Sequence, residues 1–456
     1  MARQPRDRGT APSDRRQMRR GWVVGGVAGA LCVVVAAGLC VVALRHPGAW
    51  AGSTAGEFAT PAAPVVGPPP IAPPGSTVAA TTPAATASSL PSSPPAPSSA
   101  APAPQAFDAT VAFAGDVLLH TQIDAAARTS TGYDYTSVLA GISPWIGGAD
   151  LAICQLEIPI LPPGRPISGY PVFGAPHQII TGLAKTGWDG CSTATNHSLD
   201  QGTAGVQTTV DTLKAAGMGY SGMALSQADA NDAQLYRLTQ GGQTLTVAHI
   251  STAYGFNGFT LPKNAPWEVA TNNVAQIVAR AKAARAAGAD IVLLSVHFGI
   301  EYQTKPNADQ QTFIKQIAAS GEIDAVIGGH PHVPEPMTKV GGGVGGQGMW
   351  VAYSLGNMIS AQTGDIKDTG IVAYVHLTKD ANGARVTGLT WSAVSVDSGY
   401  RLRMLEDAKP GQGIGHLSAA QVKERHDAVA AIVGTAVKEQ MTPPKSSGAT
   451  LEVLPK

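Results

Sequence analysis

Two histidines separated by one residue, His330 and His332, stand in the string Gly328-Gly329-His330-Pro331-His332. They follow an apolar run, residues 323–327, that reads as a buried strand, so both imidazoles fall just past a strand end. In open α/β sheets that edge is where ligands bind. Neutral imidazole is a ligand for Zn, Mn and Fe. Four further strand ends carry residues of metal-ligating type: Asp116 after residues 109–114, Glu157 after 151–154, Asn196-His197 after a short strand, and His297 after 291–296. Carboxylate, amide oxygen and imidazole form the donor set of a borderline divalent ion. A two-metal hydrolytic centre needs about six to eight such ligands, one of them a bridging carboxylate. Each residue alone has a plainer role: Asp116 as a helix cap, Glu157 paired with Arg165, His297 as a hydrogen-bonded core histidine. Their coincidence at strand ends points to one centre.

The elements that position these residues alternate between strand-like and helix-like runs, the pattern of α/β architecture. Helices are expected near 177–186, 203–216, 272–287 and 307–319, the second and third stopped by Gly217 and Gly288. A further strand is expected at 244–250 and another at 350–354, and residues 370–377 and 386–397 alternate like antiparallel strands. The glycine-rich string 341–348 (GGGVGGQG) reads as a long hairpin tip. It lacks the Lys-Ser/Thr of a phosphate-binding loop and no helix follows it. Residues 409–456 hold one helix, about 417–433, and then a Pro/Lys/Ser-rich tail.

The chain has 456 residues with 31 basic and 31 acidic side chains, a formal net charge of zero. That balance argues against a nucleic-acid partner, which calls for a basic excess. Residues 21–44 are uncharged and apolar, long enough for a membrane-spanning helix of ~20 residues. Seven arginines precede them against Asp7 and Asp14, so the N-terminal arm is expected to stay cytoplasmic and the rest of the chain to lie outside. A cleaved signal peptide is the competing reading, although its apolar region usually runs only ~7–15 residues. Residues 46–106 are rich in Pro, Ala, Ser and Thr, with Glu57 their one acidic residue and no Lys or Arg. They are expected to form an extended spacer without a core. The expected layout is a basic arm at 1–20, a signal-anchor helix at 21–44, a disordered linker at 45–106, a catalytic-type domain at 107–408, and a C-terminal helix and tail at 409–456. Cys154 and Cys191 fall in the folded part, where a disulfide of an exported protein and a pair of buried thiols both stand open.

Six strings stand in order: Phe113-Ala-Gly-Asp-Val-Leu-Leu-His120, Gln155-Leu-Glu157, Thr195-Asn-His-Ser-Leu-Asp-Gln-Gly202, His297-Phe-Gly-Ile-Glu-Tyr302, Gly329-His-Pro-His-Val333 and Tyr353-Ser-Leu-Gly-Asn357. Over about residues 107–400 they resemble the CapA-like proteins of bacterial poly-γ-glutamate capsule synthesis, a family similar to the calcineurin-like metallophosphoesterases. The resemblance implies a four-layer αββα sandwich of the metallophosphoesterase type. It implies Asp116, Glu157, Asn196, His297, His330 and His332 as ligands of one or two divalent ions (Mn, Zn or Fe), with Glu157 at the bridging position. It also implies His197 as general acid, with Asp200 orienting it; the competing role for both is a cap on the following helix. Glu301, Tyr302 and Asn357 are expected to contact substrate. The first motif departs from the superfamily's Asp-x-His, because Val117 and Leu118 follow Asp116 and the next histidine is His120.

Two roles follow from the resemblance. One is a membrane-anchored, extracytoplasmic metal-dependent hydrolase acting on a cell-surface anionic polymer. The other is a non-catalytic, metal-binding scaffold subunit beside a membrane synthase. A general phosphomonoesterase is a third, weaker reading.

Overall fold

The structure is a computed structural model that describes residues 106–364 and 366–456. The expected basic arm, membrane segment and nearly all of the linker lie outside the described residues. Among the described residues, no helix is long and apolar enough to cross a membrane.

Two sheets form the frame. In the first, the strand Phe107–Val117 runs parallel to Leu151–Leu156, which is followed outward by Gly190–Ser192 and Gly219–Ser221, all parallel. On its other side Thr369–Asp380 and then Gly383–Val396 pair antiparallel. The second sheet has seven strands, with Gln243–Ala253, Ile291–His297, Ala325–Gly329 and Met349–Ala352 parallel at its centre.

Side-chain alternation explains how the sheets stack. Along Leu151–Leu156, Leu151 and Ile153 point into a core shared with Val247, Leu293 and Ile327 of the other sheet. Cys154 and Leu156 point outward, against Ile179, Leu183, Val206 and Val210 of the helices Gln178–Thr186 and Gly202–Ala215. On the far side, Ala248, Ile250, Val292 and Leu294 pack on Ile277 and Ile314 of the helices Val274–Ala286 and Ala308–Ser320. The layers are therefore helix, sheet, sheet, helix, as expected. Because each central strand is buried on both faces, it reads as a near-continuous apolar run.

Local signals set the element ends. The helix Ala308–Ser320 starts at a reciprocal cap between Asn307 and Gln310 and stops at Gly321 in the left-handed region, φ 70°. The first strand runs three residues further than its apolar pattern, through Gly115, Asp116 and Val117. Here the strand Asn357–Ile359 joins it, with Asp116 opposite Asn357. A Cβ on Gly115 would stand 1.9 Å from the Gly356 carbonyl oxygen, so only glycine permits that approach.

The glycine-rich string is the tip of an antiparallel hairpin between Met337–Val340 and Met349–Ala352. After the helix Ala419–Val433, the tail adds Lys438–Glu439 to the first sheet and Thr450–Val453 to the edge of the second. Cys154 and Cys191, register partners on adjacent parallel strands with Cα atoms 4.4 Å apart, form a disulfide.

Candidate metal centre

The strand ends converge as the sequence pattern requires. Asp116, Glu157 and His332 each offer a ligand atom, and these atoms lie within 4.8 Å of one another. His332 Nδ1 is 3.1 Å from Asp116 Oδ2, and its Nε2 is 3.7 Å from Glu157 Oε1. His297 Nε2 faces the same Glu157 oxygen at 3.6 Å and Asn196 Oδ1 at 2.8 Å. The His330 ring stands 4.9 Å from the His297 ring and 6.1 Å from that of His332, and the His330 N–H donates to Asp116 Oδ2 at 3.3 Å. All six residues are buried.

His330 and His332 adopt φ of 100° and 58°, a region that costs a non-glycine residue on the order of 1–3 kcal/mol. Such strain collects at functional sites. Here the His332 imidazole faces both carboxylates, and the His330 ring lies beside those of His297 and His332.

The electrostatics call for a cation. Both oxygens of the buried Glu157 carboxylate and the buried Nδ1 of His330 lack a hydrogen-bond partner, and buried polar atoms are seldom left so. Burial and the Glu157 charge push the Asp116 carboxyl up. Burial also raises Glu157, but the imidazoles of His332 and His297 more than reverse it and hold it at about 2. Burial works against a charged His332, yet Glu157 and Asp116 lift it to about 9. Burial and the neighbouring His297 and His332 drive His330 down to about 2, so it is a neutral imidazole. Two adjacent carboxylates, an amide oxygen, a neutral imidazole at His330 and an imidazole at His332 whose proton a cation displaces fit a divalent ion.

Beside this cluster, His197 Nδ1 lies 2.7 Å from Asp200 Oδ2, which also accepts from the Phe173 N–H at 2.7 Å. Burial opposes protonation of His197, and the Asp200 and Glu157 carboxylates more than offset it, so its pKa is raised. Neither residue caps the following helix: Gln201 is at that position, with no side-chain cap. Asp116 likewise caps nothing, since His120 precedes the helix Thr121–Ala126. Arg165 donates to Gln201 Oε1 at 3.0 Å and leaves Glu157 to the centre.

His120 lies at the margin. Its Nδ1 accepts from the Ala361 N–H at 3.3 Å and its ring packs edge-on against Phe173, so it does not complete the cluster through that nitrogen.

Two of the expected substrate contacts sit at the mouth. Glu301 is exposed, and Tyr302 is 46% exposed with its ring 6.1 Å from that of His332. Asn357 requires a correction. It is buried, its Oδ1 faces His332 Nδ1 at 3.0 Å, and its amide N–H groups donate to the carbonyls of His332 and Lys367 and to Gln362. With every polar atom engaged by protein, Asn357 braces His332 and has nothing left for a substrate.

Three functional neighbours escaped the sequence pattern. Gln155 Nε2 donates to Asp116 Oδ1 at 2.7 Å and lies 2.9 Å from His297 Nδ1, tying two strands together. Tyr254, just past the strand Gln243–Ala253, packs against His330 with centroids 4.6 Å apart and the rings tilted by 48°. Asn257, at φ 48°, accepts from Asn196 Nδ2 at 3.2 Å and reaches the His197 ring. The available signal for Tyr254 was its place at yet another strand end.

Comparison with known proteins places this arrangement. The family model described as "Bacterial capsule synthesis protein PGA_cap" matches residues 110–362. "Capsule biosynthesis protein CapA" of Bacillus anthracis is 24% identical over 274 residues, covering 58% of this chain and 63% of that protein. "PGA biosynthesis protein CapA" of Bacillus subtilis is 30% identical over 194 residues, covering 42% of this chain and 48% of that protein. The match thus spans about half to two thirds of the length of these curated relatives. Among solved structures, the calcineurin-like phosphoesterase YfkN of Bacillus subtilis is 14% identical with a TM-score of 0.35, over 71% of this chain and 98% of that one. A putative 5'-nucleotidase of Staphylococcus aureus is 15% identical with a TM-score of 0.40, over 70% and 58%. The family match covers more than half of the chain and contains all six of the ordered strings, so the chain belongs to the bacterial capsule synthesis protein family PGA_cap.

Proposed function

We propose that this chain is a metal-dependent hydrolase of the metallophosphoesterase type that acts in the synthesis or export of an anionic capsule-type polymer at the cell surface. The observation that carries the reading is the buried Glu157 carboxylate, set between His297 and His332 with neither oxygen hydrogen-bonded. Asp116, Glu157, Asn196, His297, His330 and His332 would hold the ion. A divalent ion in such a site supplies Lewis acidity toward a carbonyl or phosphoryl oxygen.

The chain's own groups do the rest. Asp200 holds His197 by Nδ1, which leaves Nε2 as the proton-bearing nitrogen for the leaving oxygen or nitrogen. Against the effect of burial, the Asp200 and Glu157 carboxylates raise the His197 pKa and so favour the protonated form. Tyr254 and Tyr302, each about half exposed, stand beside the His330 and His332 rings. In this reading residues 21–44 anchor the chain and residues 45–106 hold the domain outside the cytoplasm, with the polymer and a membrane synthase as partners and no nucleic acid.

The test is the length of poly-γ-glutamate incubated with the manganese-loaded full chain. Shortening that His197→Ala slows by about 10²–10⁴-fold, at unchanged metal content, supports the acid role. A wild-type chain that binds metal and never shortens the polymer supports the second reading, a metal-binding scaffold of a synthase complex. What favours that second reading is the first motif, where Val117 and Leu118 follow Asp116 and His120 Nδ1 is turned to the Ala361 N–H.

A further inference from the structure

Arg280 differs from every other arginine among the described residues. The other eight each reach an acceptor. Arg285, one and a half turns along the same helix, donates to the Asp290 carbonyl and to Asp324 Oδ2, both at 2.7 Å. Arg403 and Arg425 reach Asp397 and Asp368, Arg237 and Arg385 reach Glu452 and Asp380, and Arg128, Arg165 and Arg401 reach Tyr133, Gln201 and the Ser137 carbonyl. Arg280 has no hydrogen bond and no carboxylate partner among the described residues.

Arg280 lines a cavity of about 390 Å³ between the helices Gln227–Asn231 and Val274–Ala286 and the segment 261–271. It is the one charged group on that lining. Leu261, Trp267 and Val269 supply an apolar wall, and Gln227, Asn231 and Gln276 supply amides. None of these residues belongs to the metal centre.

A partly buried guanidinium with no counter-charge is an unbalanced arrangement, and burial lowers its pKa. Lys456, a cation that interacts electrostatically with Arg280, does not relieve it. That ammonium is paired with Asp229 at 2.9 Å and is itself disfavoured by Arg280. The cavity therefore presents a net positive charge of one, an apolar wall and neutral hydrogen-bonding groups.

We propose that this cavity binds a small carboxylate-bearing ligand, its planar carboxylate forked on Arg280 and its body between Trp267 and the amides. A guanidinium matches a carboxylate in shape and in single charge. A phosphate dianion would call for a second cationic donor, which the lining lacks. The site is independent of the proposed hydrolase reading.

The experiment is calorimetric titration of the full chain with N-acetylglutamate and, separately, with inorganic phosphate, for wild type, Arg280→Lys, Arg280→Met and the double variant His330→Ala/His332→Ala. The expected result is one N-acetylglutamate per chain, weakened at least tenfold in Arg280→Met and less in Arg280→Lys, unchanged in the histidine variant, with phosphate weaker. Arg280→Met unfolds at or above the wild-type temperature, since it removes an uncompensated cation. No binding of N-acetylglutamate at millimolar concentration, equal binding by Arg280→Met, or phosphate binding as tightly as the carboxylate would each overturn the proposal. Loss of binding in the histidine variant would instead assign the ligand to the metal centre.

Discussion

Gly329→Ala is the most informative single perturbation of the centre, because it adds one methyl group and removes no ligand. A Cβ at residue 329 would stand 1.9 Å from Gln155 Nε2, 2.6 Å from Gln155 Cδ and 2.7 Å from Asp116 Oδ1. Gln155 can retreat only by giving up its bonds to Asp116 and His297. Losing two buried hydrogen bonds costs about 1–3 kcal/mol, and forcing a methyl group into a packed interior costs about 1–3 kcal/mol more. The expected destabilisation is therefore about 2–6 kcal/mol in urea unfolding of the metal-free chain, with weaker metal binding because Asp116 and His297 lose their brace. Gly388→Ala is the control: a Cβ there has no heavy atom within 4 Å, and removing a glycine from a compatible site is neutral or stabilising by up to about 1 kcal/mol. In the double variant Gly329→Ala/Gln155→Ala the clash with Gln155 is gone and only that with Asp116 Oδ1 remains, so the two costs must fall short of additivity. A Gly329→Ala chain that unfolds within 0.5 kcal/mol of wild type and keeps its metal affinity would refute the role given to Gln155.

Three other predictions follow from single contacts. Asn357→Leu should weaken metal binding about 10–100-fold with the ligands intact, measured by competition with a chelator, because Asn357 orients His332. Burial holds the Glu335 carboxyl up at about 7 against 4.5 in an unfolded chain; its stabilising effect is full below pH 4.5 and lost as pH rises through 7, so Glu335→Gln should gain up to about 3 kcal/mol relative to wild type at pH 8 over pH 4, read from urea unfolding at both. Replacing Cys154 and Cys191 with alanine, which opens a loop of sequence separation 37, should cost about 3–4 kcal/mol by the same assay.

The strand ends were legible because their runs are apolar on both faces and stop at glycine or a polar residue. Residues 323–327 before Gly328-Gly329 and 291–296 before His297 are of this kind, and the helices with capping glycines or a capping box fell within a few residues of expectation. Gln155 was harder to see. It sits within a strand, where a polar residue reads as an alternation break, and its partners are 39 and 142 residues away. Asn357 was legible as a motif residue and misplaced in role, since a parallel pairing with Asp116 puts it behind His332. The tail after Val433 gave no strand signal because Lys438–Glu439 and Thr450–Val453 borrow their structure from sheet edges already formed. Arg280 looks like a solvated helix charge until the cavity beside it is known.

The most direct test of the central claim is the metal content of the full chain, measured by mass spectrometry after dialysis, for wild type and for Glu157→Gln and His330→Ala/His332→Ala. A centre built on Glu157 predicts one or two divalent ions per wild-type chain and loss of at least one in each variant. A wild-type chain without bound ion at saturating Mn or Zn, or variants that retain all of it, would contradict the assignment.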